Sequence, residues 1–379
     1  MTDAFVIYFP VGNGDMSLIQ LSDLTTIVID CNITQDSLED SDDTQLDIHS
    51  YLLKLVKRDD LKNAHIDSFI LTHPDQDHCR GFEDVFFTGD PSDFSESDRR
   101  SGLIIIDELW FAPRIFSSFE DTLCDSAKSF KEEAERRMDL YRDRASNREN
   151  AGNRLRIVGY SNNDELKGLE GIISVPGHYI DKINNRRNGD FSFFIHAPFK
   201  ANTDSKIIER NETCIVLQAR FSIDREPDSC LAMFGGDAGF ETWETILKQS
   251  KRETLQWDLF LAPHHCSWKF FSDSRDSGIS ESSRKILDMK RKGAIVVASC
   301  KPIKRDDDNP PDYFAAKIYK KEVGDERFFI TSEYYDREKH PLIFELTKNG
   351  PAKGSSPRTD IAASTAAIHP VISTPKTYG

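Results

Sequence analysis

The chain has no run of about 18 apolar residues, the length a membrane-spanning helix needs, and its longest apolar stretches are strand-sized. Its first residues, "MTDAFVIYFPVGNGD", enter a strand pattern at once and lack the basic-then-apolar layout of a secretory leader. Both absences point to a cytoplasmic protein with no membrane contact. There is no CxxC pair either. Seven cysteines, Cys31, Cys79, Cys124, Cys214, Cys230, Cys266 and Cys300, stand apart along the chain. An odd, scattered set argues against a disulfide framework and against a thiolate zinc finger, so most of them read as small buried apolar residues. Positive charge is also scarce: 49 Lys and Arg face 64 Asp and Glu, for a formal net charge of −15. That balance argues against a surface that coats a polyanion, because phosphate binding leans on Lys and Arg. It does not exclude a nuclease, since a metal cluster brings its own positive charge. Any nucleic-acid contact must then be local, and the basic stretches are short: "KINNRR" (182–187), "KRK" (290–292) and "KPIKR" (301–305).

What is present suffices for a substantial core, with 379 residues, 38% hydrophobic and 25 of them Phe. Strand-like segments alternate with helical ones, which reads as α/β or α+β. "FVIYF" (5–9), "MSLIQL" (16–21) and "TIVID" (26–30) are three strands in quick succession. In "TQLDIHSYLLKLVKRDD" (44–60) the apolar residues fall at i, i+3, i+4, i+7 and i+8, the signature of an amphipathic helix. "IDSFILT" (66–72) and "GLIIIDELWFAP" (102–113) are further strands, and residues 121–150 read as one long helix with Ala127, Phe130, Ala134, Met138 and Tyr141 on a stripe. That helix packs through its stripe and keeps a solvated charged face, or docks a protein partner. Strands follow at 189–199, 213–221 and 230–237, then a helix at 241–250 and strands at 257–263, 293–299 and 341–347. The expected domain covers residues 1–348, and 349–379, rich in Ser, Thr, Pro, Gly and Ala, reads as a disordered tail.

The chemistry concentrates where strands end. "HPDQDH" packs His73, Asp75, Asp77 and His78 into six positions after an apolar run. Imidazole with carboxylate suits zinc, manganese or iron, and alternation in a tight loop aims His73, Asp75 and Asp77 to different sides. "FGGDAG" puts Asp237 after a second strand, and "APHHCSW" puts His264 and His265 after a third. Singly, Asp237 is also a candidate helix cap and the His pair a candidate for core hydrogen bonding. Together they read as a two-metal site.

These motifs carry a resemblance. HPDQDH resembles the HxHxDH signature of the metallo-β-lactamase fold, with Asp75 at the second histidine. With "VGNGD", "VIDCN", "NETCIVL", "GGDAG" and "PHHCS" in order, the chain from about Phe5 to about Ser299 is similar to the soluble hydrolase domain of the ComEC competence proteins. The resemblance implies a four-layer αββα sandwich with a helical insertion, here at about 112–190, and two divalent ions at one edge. On that pattern His73, Asp75 and Asn211 hold one ion, Asp77, His78 and His264 the other, and Asp237 bridges. Asp30 orients a ligand from behind, and His265 steers substrate or protonates the leaving group. Which of His264 and His265 is the ligand stays open, as does the third histidine position, where His178 and His196 rival Asn211. Cys214 and Cys266 replace a family Ser and Gly, and a thiol at Cys266 is a further possible zinc ligand. Aspartate and asparagine in place of imidazole harden the site and shift the expected metal from zinc toward manganese. The implied activity is phosphodiester cleavage of DNA, preferentially single-stranded. The alternatives are hydrolysis of a small nucleotide or other phosphoester, and a role as effector or binding subunit in a multiprotein, defence-type system.

Overall fold

The computed structural model describes residues 4–34, 45–113, 123–160, 166–200, 213–306, 308–354 and 357. It is a mixed α/β structure with two large sheets. The first has the order Gly350–Lys353, Leu342–Thr347, Ala4–Tyr8, Ser17–Gln20, Thr26–Ile29, Ala64–Ile70, Ile104–Phe111, Arg154–Val158, Ile173–Ser174, with Lys57–Arg58 paired beside Ala64–Ile70. Its pairing is antiparallel up to Thr26–Ile29 and parallel beyond it. The second runs Tyr179–Ile180, Phe191–Ala197, Val216–Ile223, Glu226–Phe234, Trp257–Leu261, Lys290–Ala298, Phe328–Ile330. There the pairing is antiparallel up to Glu226–Phe234 and parallel after it.

Three apolar layers follow from the alternation of side chains along these strands. Between the sheets, Val6, Tyr8, Ile29, Ile70 and Trp110 meet Phe193, Leu217, Phe234, Leu261 and Val297. Outside the first sheet, Ile7, Leu18, Phe69 and Ile106 pack against the helices Ile48–Leu55 and Asp125–Arg142. Outside the second, Val216, Phe260 and Val296 are covered by Phe240–Gln249, Glu281–Leu287 and Tyr313–Val323. The long helix therefore spends its apolar stripe inside: Ala127, Phe130, Ala134 and Met138 are buried on the first sheet. Contrary to the expectation of a solvated charged face, its charged side is not wholly exposed. Glu133 and Arg137 are buried too, and Arg137 donates to Glu133 Oε1 at 2.7 Å and to the carbonyls of Arg154 and Ile106, both at 2.9 Å.

Two expectations meet the limits of the described residues. Residues 121 and 122 of the expected helix lie outside them, and the ordered helix is Asp125–Arg142. The last strand, Gly350–Lys353, falls in the stretch assigned to the tail, most of which is also outside. No helix among the described residues is long and apolar enough to cross a membrane.

Candidate metal centre

Five chain segments converge at one edge where the sheets meet, four just past the C-terminal end of a strand and one, carrying Asp15, in the loop between Ala4–Tyr8 and Ser17–Gln20. Asp15 follows Ala4–Tyr8, Asp30 follows Thr26–Ile29, and the His73–His78 motif follows Ala64–Ile70. From the second sheet come Asp237, after Glu226–Phe234, and His264 and His265, after Trp257–Leu261. Strand ends hold loop side chains against a rigid scaffold, and main-chain bonds stitch these loops together. The amide of Asp15 donates to the Asp77 carbonyl (3.1 Å), that of Ile215 to Thr72 (3.0 Å), and that of His264 to Gly236 (3.0 Å). Gly14 is required by this closeness, since a Cβ there would lie 2.7 Å from the Asp77 oxygen and 2.1 Å from the Asn32 amide nitrogen. The motif is pinned downstream as well. Phe82 sits in an aromatic cluster with Phe69, Phe86 and Phe130 at centroid distances of 5.4, 5.5 and 5.1 Å. Such pairs add about 0.5–1.5 kcal/mol each beyond area burial.

Within this frame the imidazoles are aimed. Asp30 accepts from the Thr72 amide (2.7 Å) and hydroxyl (2.6 Å), and its Oδ2 lies 2.8 Å from His78 Nδ1. That contact fixes the ring and leaves Nε2 facing Asp237 Oδ1 at 3.0 Å. His265 has looser contacts and no hydrogen bond: its Nδ1 lies 3.3 Å from Asp15 Oδ1, and its Nε2 3.3 Å from Asp77 Oδ2 and 3.5 Å from Asp237 Oδ1. The other Asp237 oxygen faces a different pair: His73 Nε2 at 3.7 Å and His264 Nε2 at 3.4 Å. Asp75 Oδ2 is also 3.7 Å from His73 Nε2. Asp237 thus stands between two donor groups, one on each oxygen.

The near contacts are largely not hydrogen bonds. Asp15 Oδ1, His73 Nε2, His78 Nε2, Asp237 Oδ1, His264 Nδ1 and both ring nitrogens of His265 are buried without a hydrogen-bond partner among the described residues. Buried polar atoms are rarely left so, and here they crowd together. One ligand atom from each of Asp15, His78, Asp237 and His265 lies within 4.8 Å of every other. A donor set of imidazole and carboxylate converging on one volume fits a divalent cation. The deep groups are His73, His78, His265 and Asp237. Asp75, Asp77 and His264 face the opening, with side chains 28%, 36% and 22% exposed.

Electrostatics agree with that fit. Burial acts to raise Asp237, but His78, His265 and His73 outweigh it and hold its carboxyl well below the usual range. Burial acts to lower His78 and His265, yet the carboxylates win: Asp237 and Asp30 hold His78 well above its ordinary value, and Asp237 and Asp15 push His265 up to about 10. His264 goes the other way, lowered by burial. A cation at the centre would take the place of the protons these carboxylates draw onto the rings.

The structure brings together His73, Asp75, Asp77, His78, Asp237, His264, His265 and Asp30. Asn211 lies outside the described residues. Of the two histidines between which the sequence left the ligand open, His265 faces Asp77 and His78, and His264 lies on the His73 side. The cause is the backbone, because His264, His265 and Cys266 run consecutively at φ 50°, 53° and 68°. Three left-handed residues in a row turn successive side chains to different sides. Cys266 points away, into the apolar layer outside the second sheet, and is no ligand here. His196 is structural, bonded to Ser250 Oγ and the Thr254 carbonyl at 2.9 Å each. His178 is exposed beside Arg156 and Lys182, apart from the site. Asp15 went unassigned in the sequence, although the motif carrying it, "VGNGD", was in view. No protein-family model matches this chain, and no curated protein matches it.

Proposed function

We propose that the protein is a metal-dependent hydrolase of the metallo-β-lactamase type, acting on phosphodiesters and most readily on single-stranded DNA. The observation that carries this reading is the pair of donor groups on the two oxygens of Asp237. His78, His265 and Asp77 would hold one ion, and His73, Asp75 and His264 the other. The helix–sheet–sheet–helix layering and the site at the sheet edge support the same assignment. When bound, such ions supply Lewis acidity and a water nucleophile near neutral pH. The chain's own part is positional. Asp30 and Asp15 keep the Nδ1 side of His78 and His265 occupied so that each Nε2 points inward. Substrate approaches over Asp75, Asp77 and His264, the exposed members. The "KPIKR" segment borders this opening: the Lys301 amide donates to Asn13 Oδ1 at 3.0 Å, in the loop that carries Asp15. The acid balance, −15 overall, favours a second reading, a small nucleotide or other phosphoester that needs only the local pocket.

Elemental analysis of purified protein, native and after incubation with manganese or zinc, should find close to two ions per chain. The loaded protein is then offered single- and double-stranded DNA, RNA, cyclic dinucleotides and a generic phosphodiester. Absence of metal in every preparation would remove the hydrolase reading.

A further inference from the structure

Directly behind the HPDQDH loop lie two thiols that the proposed hydrolase does not use. Cys79 ends the short helix Gln76–Cys79, next in sequence to His78, and is fully buried. Cys124 is the N-cap of the 18-residue helix Asp125–Arg142 and is half-buried, open to small solutes. Their sulfurs are in contact at 3.7 Å, and the Cys79 Sγ also lies 3.2 Å from the Asp75 carbonyl oxygen. Cys124 Sγ accepts from the Ala127 amide at 3.4 Å. The Cys79 thiol and that amide together hold the Cys124 thiol down, to about 6, against its partial burial. Low pKa with access to solvent marks an oxidisable cysteine, and a second thiol in contact marks a resolving partner.

We propose that Cys79 and Cys124 are a peroxide-sensitive redox pair whose closure to a disulfide loosens the metal-binding loop. The second half of this proposal rests on the metal-centre reading, whereas the first half does not. The Cys124 thiolate attacks one oxygen of hydrogen peroxide, the O–O bond breaks, and the departing hydroxide takes a proton to become water, leaving a Cys124 sulfenic acid. The Cys79 sulfur attacks that sulfur, an S–S bond forms as the S–O bond breaks, and the Cys79 proton leaves with the hydroxyl as a second water. Two thiols lose two electrons and one peroxide gains them. Because a disulfide needs about 2 Å between sulfurs, the 3.7 Å pair must close by about 1.7 Å. That motion pulls Cys79 away from the Asp75 carbonyl and draws on the helix bearing Asp77 and His78.

Full-length protein is treated with stoichiometric hydrogen peroxide, alkylated and mapped by peptide mass spectrometry, and its metal content is read after gel filtration. Cys124→Ser is the matched variant, because serine is a preferred N-cap and keeps the helix start intact. Cys79→Ser breaks the pair from the other side. The expected result is a Cys79–Cys124 crosslink in the wild type that a phosphine reductant reverses, absent in both variants. At least a twofold loss of metal should accompany it, with none in Cys124→Ser. A crosslink from Cys79 to Cys31, its neighbour across a β-bridge, or sulfinic acid on Cys124 without a crosslink, overturns the pair. A crosslink with metal fully retained overturns the coupling. Protein that carries no metal in either redox state sinks the metal-centre reading instead, and leaves the pair to be judged on the crosslink.

Discussion

Asp30 and Asp15 each approach a buried imidazole from its Nδ1 side at the residue scale: Asp30 is hydrogen-bonded to His78 at 2.8 Å, and Asp15 makes a looser 3.3 Å contact with His265. Replacing such a partner typically costs about 10–100-fold in metal affinity. Asp30→Asn and Asp15→Asn should each weaken manganese or zinc binding by that much, measured by competition with a chromophoric chelator, while circular dichroism stays unchanged. Unaltered affinity in both would remove the positioning role. His196 gives a separate test, remote from the metal. Burial depresses its ring to about 3, helped by Arg220 and opposed by the Thr254 carbonyl, against 6.5 for an exposed histidine. Between those values the unfolded chain carries one more proton than the folded one. The stability from the neutral ring is therefore complete above about pH 6.5 and falls as pH drops toward 3, by up to about 1.4 kcal/mol per pH unit. Urea denaturation of His196→Gln should show a shallower loss over that window; an identical slope would mean other groups set the acid limb.

Among the elements, the helix Asp125–Arg142 is held by charge as much as by its apolar stripe. Arg137 is buried and spans Glu133, Ile106 and Arg154, so it ties the helix to two strands of the first sheet. Breaking a buried pair leaves an uncompensated charge and costs about 3–5 kcal/mol. Glu133→Ala should lose about that much in denaturant titration, whereas exposed Glu132→Ala should stay within about 0.5 kcal/mol. Near-equal losses would show that the pair is not what anchors the helix. The stripe was legible in sequence because a 3.6-residue period is a local property. The inward turn of Glu133 and Arg137 was not, since it depends on carbonyls presented by distant strands. The same division holds at the site. His73, Asp75, Asp77, His78 and Asp237 were legible because ligand-type residues crowd after apolar strands. The split of His264 and His265 to different sides was not, because it rests on three consecutive positive φ values that the residue types His, His and Cys do not announce. Asp15 offered one carboxylate in a hairpin loop, with nothing nearby in sequence to pair it with. The strand at 341–347 was legible, matching Leu342–Thr347, but Tyr313–Val323, Phe328–Ile330 and Thr331–Glu338 were not, being mixed in composition.

For the molecule as a whole, charge separates the two substrate readings. A protein gripping duplex DNA loses affinity with salt at a log–log slope of about −0.9 per phosphate neutralised. With a net charge of −15, few such contacts are expected, about three or four by that rule. Charge reversal at Lys301, Lys304 and Arg305, all exposed, should then impair DNA cleavage far more than cleavage of a minimal phosphodiester. Equal impairment, or none, would put the small-substrate reading ahead. The sheet order has a further consequence, for biosynthesis. Ala4–Tyr8 is made long before its partner strand, for Tyr8 pairs with Leu342, Val6 with Phe344 and Ala4 with Leu346. Until the ribosome has released residues 342–346, one side of Ala4–Tyr8 has no partner, and an unpaired strand edge invites other chains. A chain still being made must therefore shelter that strand edge until residues 342–346 emerge, which makes slowed translation of the intervening stretch a point of exposure to aggregation.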